Sequence, residues 1–286
     1  MKYELTNENL EIGKKNLFRI RALKDFAHVK AGDLGGWIES ESNLSQEGTC
    51  WVSGEAQVYG EARVYDSAQV FGSAQVYDSA RVFGKACVFG SAWVSGSAQV
   101  YGEARVSGEA RVFGKARVFG KACVFGSAQV YDSAQVYGSA RVFGSAWVSG
   151  EARVYDSARV FGSAQVYGEA RVYDSAQVFG SAQVYGEARV FGKACVFGSA
   201  WVSGSAQVSG RACIKSVADY IVVGPAQSSG RFTTAYIVEN STVVTTGCFT
   251  GTLEEFKRAI EKTHEHNPSC LKQYRSFANL IAENFQ

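Results

Sequence analysis

The chain has 286 residues, 46% hydrophobic and 20% charged, so it can bury a sizeable core and does not have the composition of a disordered chain. Lys and Arg number 29 against 27 acidic residues, and the net charge of +2 excludes a strong sequence-independent pull towards nucleic acid backbones or acidic membranes. With 31 Gly, 2 Pro and 1 Met beside 14 Tyr and 18 Phe, the sequence uses few letters, the usual mark of internal repeats.

Residues 1–48 are not repetitive. They contain no apolar run of signal-peptide length, and nowhere in the chain do about 18 apolar residues run together, so a cytoplasmic protein without a membrane partner is expected. From Thr49 to Ser216 the chain is an unbroken series of six-residue units, [Ser/Glu/Lys]-Ala-x-Val-[Tyr/Phe/Ser]-[Gly/Asp], 28 in all. Val recurs every sixth position from Val52 to Val208 and Ile214 closes the series. Ala recurs two positions earlier, from Ala56 to Ala212, with Cys50 opening it. A spacing of two is strand periodicity, so Ala and Val point to one side while x and the aromatic point to the other. The Gly/Asp position tolerates positive φ and marks a corner. Each hexad is therefore one short strand, and an interior of Ala and Val is buried only by stacking on further copies.

The outward positions set the period. Taking every third hexad from the first gives Ser53, Phe71, Phe89, Ser107, Phe125, Phe143, Phe161, Phe179 and Phe197, a register without Tyr; Cys87, Cys123, Cys195 and Cys213 occupy its x positions. Trp93, Trp147 and Trp201 fall in the second register, and a run of Tyr and Phe with Arg63, Arg81, Arg117, Arg153, Arg171 and Arg189 in the third. Three hexads, 18 residues, make one turn. The stretch Lys85–Gly96 recurs unchanged at Lys193–Gly204, six whole turns on, so duplication has kept the register.

Residues 217–286 change character. Tyr220–Val223 and Phe232–Val244 read as strands, Thr252-Leu253-Glu254-Glu255 as a capping box opening a helix to about Thr263, and Asn267-Pro268 as the start of a second helix to about Asn284. Phe256, Ile260, Tyr274, Phe277, Leu280, Ile281 and Phe285 give these helices apolar stripes that require a surface to dock on.

The hexads resemble the repeat of left-handed parallel β-helices, and with the stretch Ala31–Gly48 they resemble the YdcK-like, prophage-encoded hexapeptide-repeat proteins, a group labelled as transferases from fold alone. Gly247-Cys248-Phe249-Thr250-Gly251-Thr252-Leu253 resembles tails on phage-borne members of that group. The resemblance implies an all-β solenoid, a left-handed parallel β-helix of about nine triangular coils. An N-terminal cap (1–48) and a small α+β C-terminal tail (217–286) would flank the repeat (49–216). Fold does not transfer chemistry. Hexapeptide-repeat acyltransferases use a coil histidine as general base and extruded loops to hold their substrates. Here the three histidines, His28, His264 and His266, lie outside the hexads, and no loop interrupts them. We therefore expect no catalytic residue, no metal site and no cofactor, with an acyltransferase-like enzyme as the alternative. His264-Glu265-His266 lacks a third ligand in view. Cys50, Cys87, Cys123, Cys195, Cys213, Cys248 and Cys270 form no metal-ligand pattern and are expected as reduced thiols.

What remains is a surface of side-chain ladders. Seven rings, Phe71, Phe89, Phe125, Phe143, Phe161, Phe179 and Phe197, are expected to form one contiguous apolar strip that needs cover, either by self-association, a trimer being favoured, or by the tail folded back. Trp93, Trp147 and Trp201, each followed two residues later by a serine, are a second candidate, as platforms for a glycan or another small molecule. Four of the six third-register arginines lie in hexads that begin with Glu, so local neutralisation is expected there, which weakens any nucleic-acid reading. The expected function is thus a non-enzymatic phage-type scaffold or binding protein acting through oligomerisation and these ladders, with a host protein as a further possible partner. A polysaccharide-binding fibre segment is another alternative.

Overall fold

The computed structural model describes residues 1–226, 230–239 and 241–285. The chain opens with the hairpin β1 (Tyr3–Ile12) and β2 (Lys15–Ala22), whose two-residue loop places Gly13 at φ +61, the backbone a tight hairpin needs at its first central residue. β3 (Leu34–Ile38) pairs antiparallel with β2 on one side. On the other it pairs in parallel with Gln57–Val58, so the cap is continuous with the repeat.

Twenty-eight two-residue strands follow, β4 (Trp51–Val52) to β31 (Cys213–Ile214), one per hexad. They stack as three parallel sheets, and each strand pairs with the one 18 residues on: Gln57 with Gln75, Arg63 with Arg81, Cys195 with Cys213. Three hexads per coil is thus the observed geometry, and with the cap's rungs the solenoid has about ten turns. Every repeat Ala from Ala56 to Ala212 is fully buried, and every repeat Val is at most 1% exposed. Burying a Val is worth about 1.5–3 kcal/mol, so this thin dry column is the main store of stability.

The corners explain the sixth position. At Gly144, φ is +72 and a Cβ would lie 3.0 Å from the backbone N of Gly162 in the next coil. Aspartate is admitted at five corners, with φ between 56° and 60°. At four of them the carboxylate accepts the N–H of the glycine one coil on: Asp66 from Gly84, Asp78 from Gly96, Asp132 from Gly150 and Asp174 from Gly192, at 3.0–3.2 Å. The added hydrogen bond offsets the strain of a left-handed non-glycine residue.

The two ends of the column are chemically unlike. Outside the strand ladders, the N–H groups of the first, third and fifth hexad positions donate to carbonyls of the following coil, as Glu55 does to Gly72, Gln57 to Ala74 and Tyr59 to Val76. The first coil therefore presents mostly acceptors and the last mostly donors. The cap supplies donors: Asn43 Nδ2 reaches the carbonyls of Gly60 (3.0 Å) and Ala62 (2.9 Å), and the buried Lys2 Nζ reaches that of Cys50 (2.9 Å). The far end supplies acceptors. Thr234 Oγ1 takes the N–H of Gln207, Tyr236 Oη that of Ser209, and Asp219 those of Lys215 and Ser216.

Beyond the column, β32 (Tyr220–Val223), β33 (Thr233–Val238), β34 (Ser241–Thr246) and β35 (Phe249–Thr252) form an antiparallel sheet carrying α1 (Leu253–Thr263) and α2 (Pro268–Asn284). The β-rich stretch from Phe232 to Val244 holds β33 and the start of β34, which pair antiparallel; Asn240 is outside the described residues. β35 was hidden by its Gly and Thr content. The capping box is present: Thr252 Oγ1 accepts the Glu255 N–H, and the Glu255 carboxylate accepts that of Thr252. Phe256, Ile260, Tyr274, Ala278 and Ile281 pack on Val223, Ala235 and Val244, which answers what the apolar stripes dock on. The tail meets the column through β33, against the last two coil strands. No described helix is long and apolar enough to cross a membrane.

Candidate binding surface

With Ala and Val turned inward, x and the residue after Val face outward on each rung, so each of the three faces carries two lanes, with the exposed first hexad position beside them. On the first face the phenylalanines stack almost parallel at about 4.9–5.1 Å, each ring covering its neighbours. The expected single strip is corrected here. Ser107 divides it into a pair, Phe71 and Phe89, and a run of five from Phe125 to Phe197. Phe71 is the most open ring of the lane, at 38% exposure. What faces solvent is ring edges. None of these rings belongs to the tail's apolar cluster, and Lys215 Nζ stands over Phe197, the last ring, at 5.9 Å.

The third face holds the longest stack. Eight rings from Tyr65 to Phe191, one per coil, lie 4.8–5.0 Å apart without a break. The sequence carried the signal, since this register has no Ser before Ser209. Burial pushes the phenols of Tyr65, Tyr137, Tyr155 and Tyr173 above their usual range, so they remain protonated donors at neutral pH. The neighbouring arginines form no direct ion pairs: among the described residues none of Arg63, Arg81, Arg117, Arg153, Arg171 and Arg189 lies within ion-pair distance of a carboxylate. The hexad glutamates stand two residues ahead on the outward side, where their charge acts at longer range than an ion pair.

On the second face Trp93, Trp147 and Trp201 are 38%, 42% and 50% exposed. The Arg111 guanidinium lies 4.7 Å from the Trp93 ring, so one face of that indole is already occupied by the chain's own cation. Trp147 sits between Gln129 and Gln165, and Trp201 ends its sheet beside Gln183. The structure thus brings the seven Phe into two stacks and leaves the three Trp as separate exposed points.

His264 stacks on Tyr274 at 4.9 Å, and His266 Nε2 is 3.0 Å from Glu265 Oε1. Among the described residues no group of three or more metal-ligating side chains comes together. The seven cysteines are free thiols. Burial pushes the Cys195 thiol up, with the neighbouring Cys213 adding to it, and burial pushes Cys50 up against the pull of Lys2. A cavity of about 270 Å³ in the tail, lined by Cys248, Phe256, Ile260, His264 and Tyr274 among others, was not foreseen from the sequence.

The three-sided stack of hexads defines a parallel β-solenoid protein whose outer faces carry side-chain ladders. The YdcK β-solenoid repeat profile matches residues 56–72, 134–150 and 164–180. Over 59 residues the chain is 42% identical to a protein of Escherichia coli (strain K12) named "Uncharacterized acetyltransferase YdcK", a match spanning 18% of this chain and 18% of that protein. Over those segments the repeat is similar to the YdcK β-solenoid repeat.

Proposed function

We propose that this chain is a non-enzymatic scaffold or binding protein that self-associates through its first face. The observation carrying this reading is the five-ring Phe stack from Phe125 to Phe197, which presents hydrocarbon edges along a flat face while the tail docks elsewhere. A second copy seated side by side covers those edges, and three flat-sided columns close into a trimer. Native mass spectrometry of the full chain tests this. A trimer is expected, and Phe143→Ser with Phe161→Ser should yield monomers that still fold, because Ser occupies the same lane at Ser53 and Ser107. A wild-type monomer at every concentration overturns the reading.

The name of the matched relative supports acetyl transfer as a second reading. The described coils carry no imidazole to accept a proton near neutral pH, so such an activity has to draw on His28, on His264 or on the tail cavity. Turnover of acetyl-CoA that is lost in His264→Ala or His28→Ala would establish it.

A further inference from the structure

The amino-terminal end of the third face is not a plain continuation of the ladder. Leu44 bridges Val64, which puts Asn43 on the rung before Arg63. Its side chain is fully buried because the amide is spent on the carbonyls of Gly60 and Ala62. The x lane therefore loses one rung, and the small Ser42 and Ser45 leave a notch above Arg63. Two adjoining cavities, of about 340 and 390 Å³, open there, and Ser42, Arg63 and Arg81 line both.

Arg63 and Arg81 are direct in-register partners on neighbouring strands. Like charges set opposite one another repel, and among the described residues neither guanidinium has a carboxylate or hydrogen-bond acceptor of its own. The other arginine run on this face, Arg153, Arg171 and Arg189, has a glutamate two residues ahead of every member. In the notch Arg81 is preceded by Ser79 instead, and Ser79 Oγ binds the Glu61 carboxylate at 3.0 Å. One acidic group thus stands near two cations, in a recess that the cap builds over them.

We propose that this notch binds a phosphate group, whose dianion bridges the two guanidiniums with the hydroxyls of Ser42 and Ser45 on the rim. The inference is independent of self-association, and a monomeric mass leaves it intact. Isothermal titration of the full chain with inorganic phosphate tests it. One phosphate per chain is expected, with binding about tenfold weaker or worse in Arg63→Gln and in Arg81→Gln and unchanged in Arg171→Gln. Gln99 and Gln135 occupy the same lane, so these variants keep the fold. Phenyl phosphate binding more tightly than phosphate assigns the site to a phosphorylated small molecule, and the reverse order assigns it to the free ion. No saturation by about 10 mM phosphate, or equal affinity in the Arg63→Gln, Arg81→Gln double variant, overturns the proposal.

Discussion

Single residues decide where this repeat tolerates change. A corner glycine such as Gly150 holds φ at +66 and has the Gly168 backbone N 3.0 Å from any added Cβ, so Gly150→Ala should cost about 1–2 kcal/mol in urea unfolding. Gly150→Asp should cost less, because its carboxylate gains the Gly168 N–H as Asp132 gains that of Gly150. Glu39 sets a pH dependence. Lys15, hydrogen-bonded to its carboxylate, holds it below the usual carboxylate range, and the Gly60 N–H adds to this against the cost of burial. A depressed folded pKa gives stability that is present above the unfolded value and lost as pH falls through the folded one. Midpoints of urea unfolding measured downward from about pH 5 should therefore decline, and Glu39→Gln should flatten part of that decline.

At the level of the element, the ring stacks act as ladders whose strength depends on continuity. Phe119 is held between Tyr101 and Tyr137, whereas among the described rings Phe71 stacks on Phe89 alone. With each stacked pair worth about 0.5–1.5 kcal/mol, Phe119→Ala should destabilise by about twice as much as Phe71→Ala in chemical denaturation. Much of this was legible. The period-two spacing gave the strands, and the exclusion of Tyr from one register gave the 18-residue turn. The capping box gave the start of α1. Less legible was how rings spaced by one coil present themselves: stacking hides their faces, so an apparent platform for ligands becomes a row of edges. Asn43 was also silent in the sequence, because nothing in its neighbours shows that its amide is spent on two backbone carbonyls.

For the whole molecule, the repeat predicts an asymmetry between two kinds of deletion. Removing residues 127–144 takes out one complete coil and joins Phe125 to Phe161 in register. Removing 127–132 leaves the Ala and Val columns intact but shifts every later lane by one face. The first should lower the unfolding midpoint only slightly, while the second breaks all outward ladders at the junction and should lower it more, as read by circular dichroism on heating. The core was the most predictable part of the protein because methyl groups need only volume and period. The candidate surface was less so, because its properties depend on which neighbour each side chain meets one turn away.

The opposed caps give the column a sense of direction, like an arrow with a distinct point and nock. Grafting the amino-terminal segment onto the final coil would set amide against amide, and a fusion of two such rods could continue only nose to tail. Growth of the repeat by duplication is free to lengthen the shaft, as the unchanged copy of Lys85–Gly96 at Lys193–Gly204 shows, without ever rewriting either fitting.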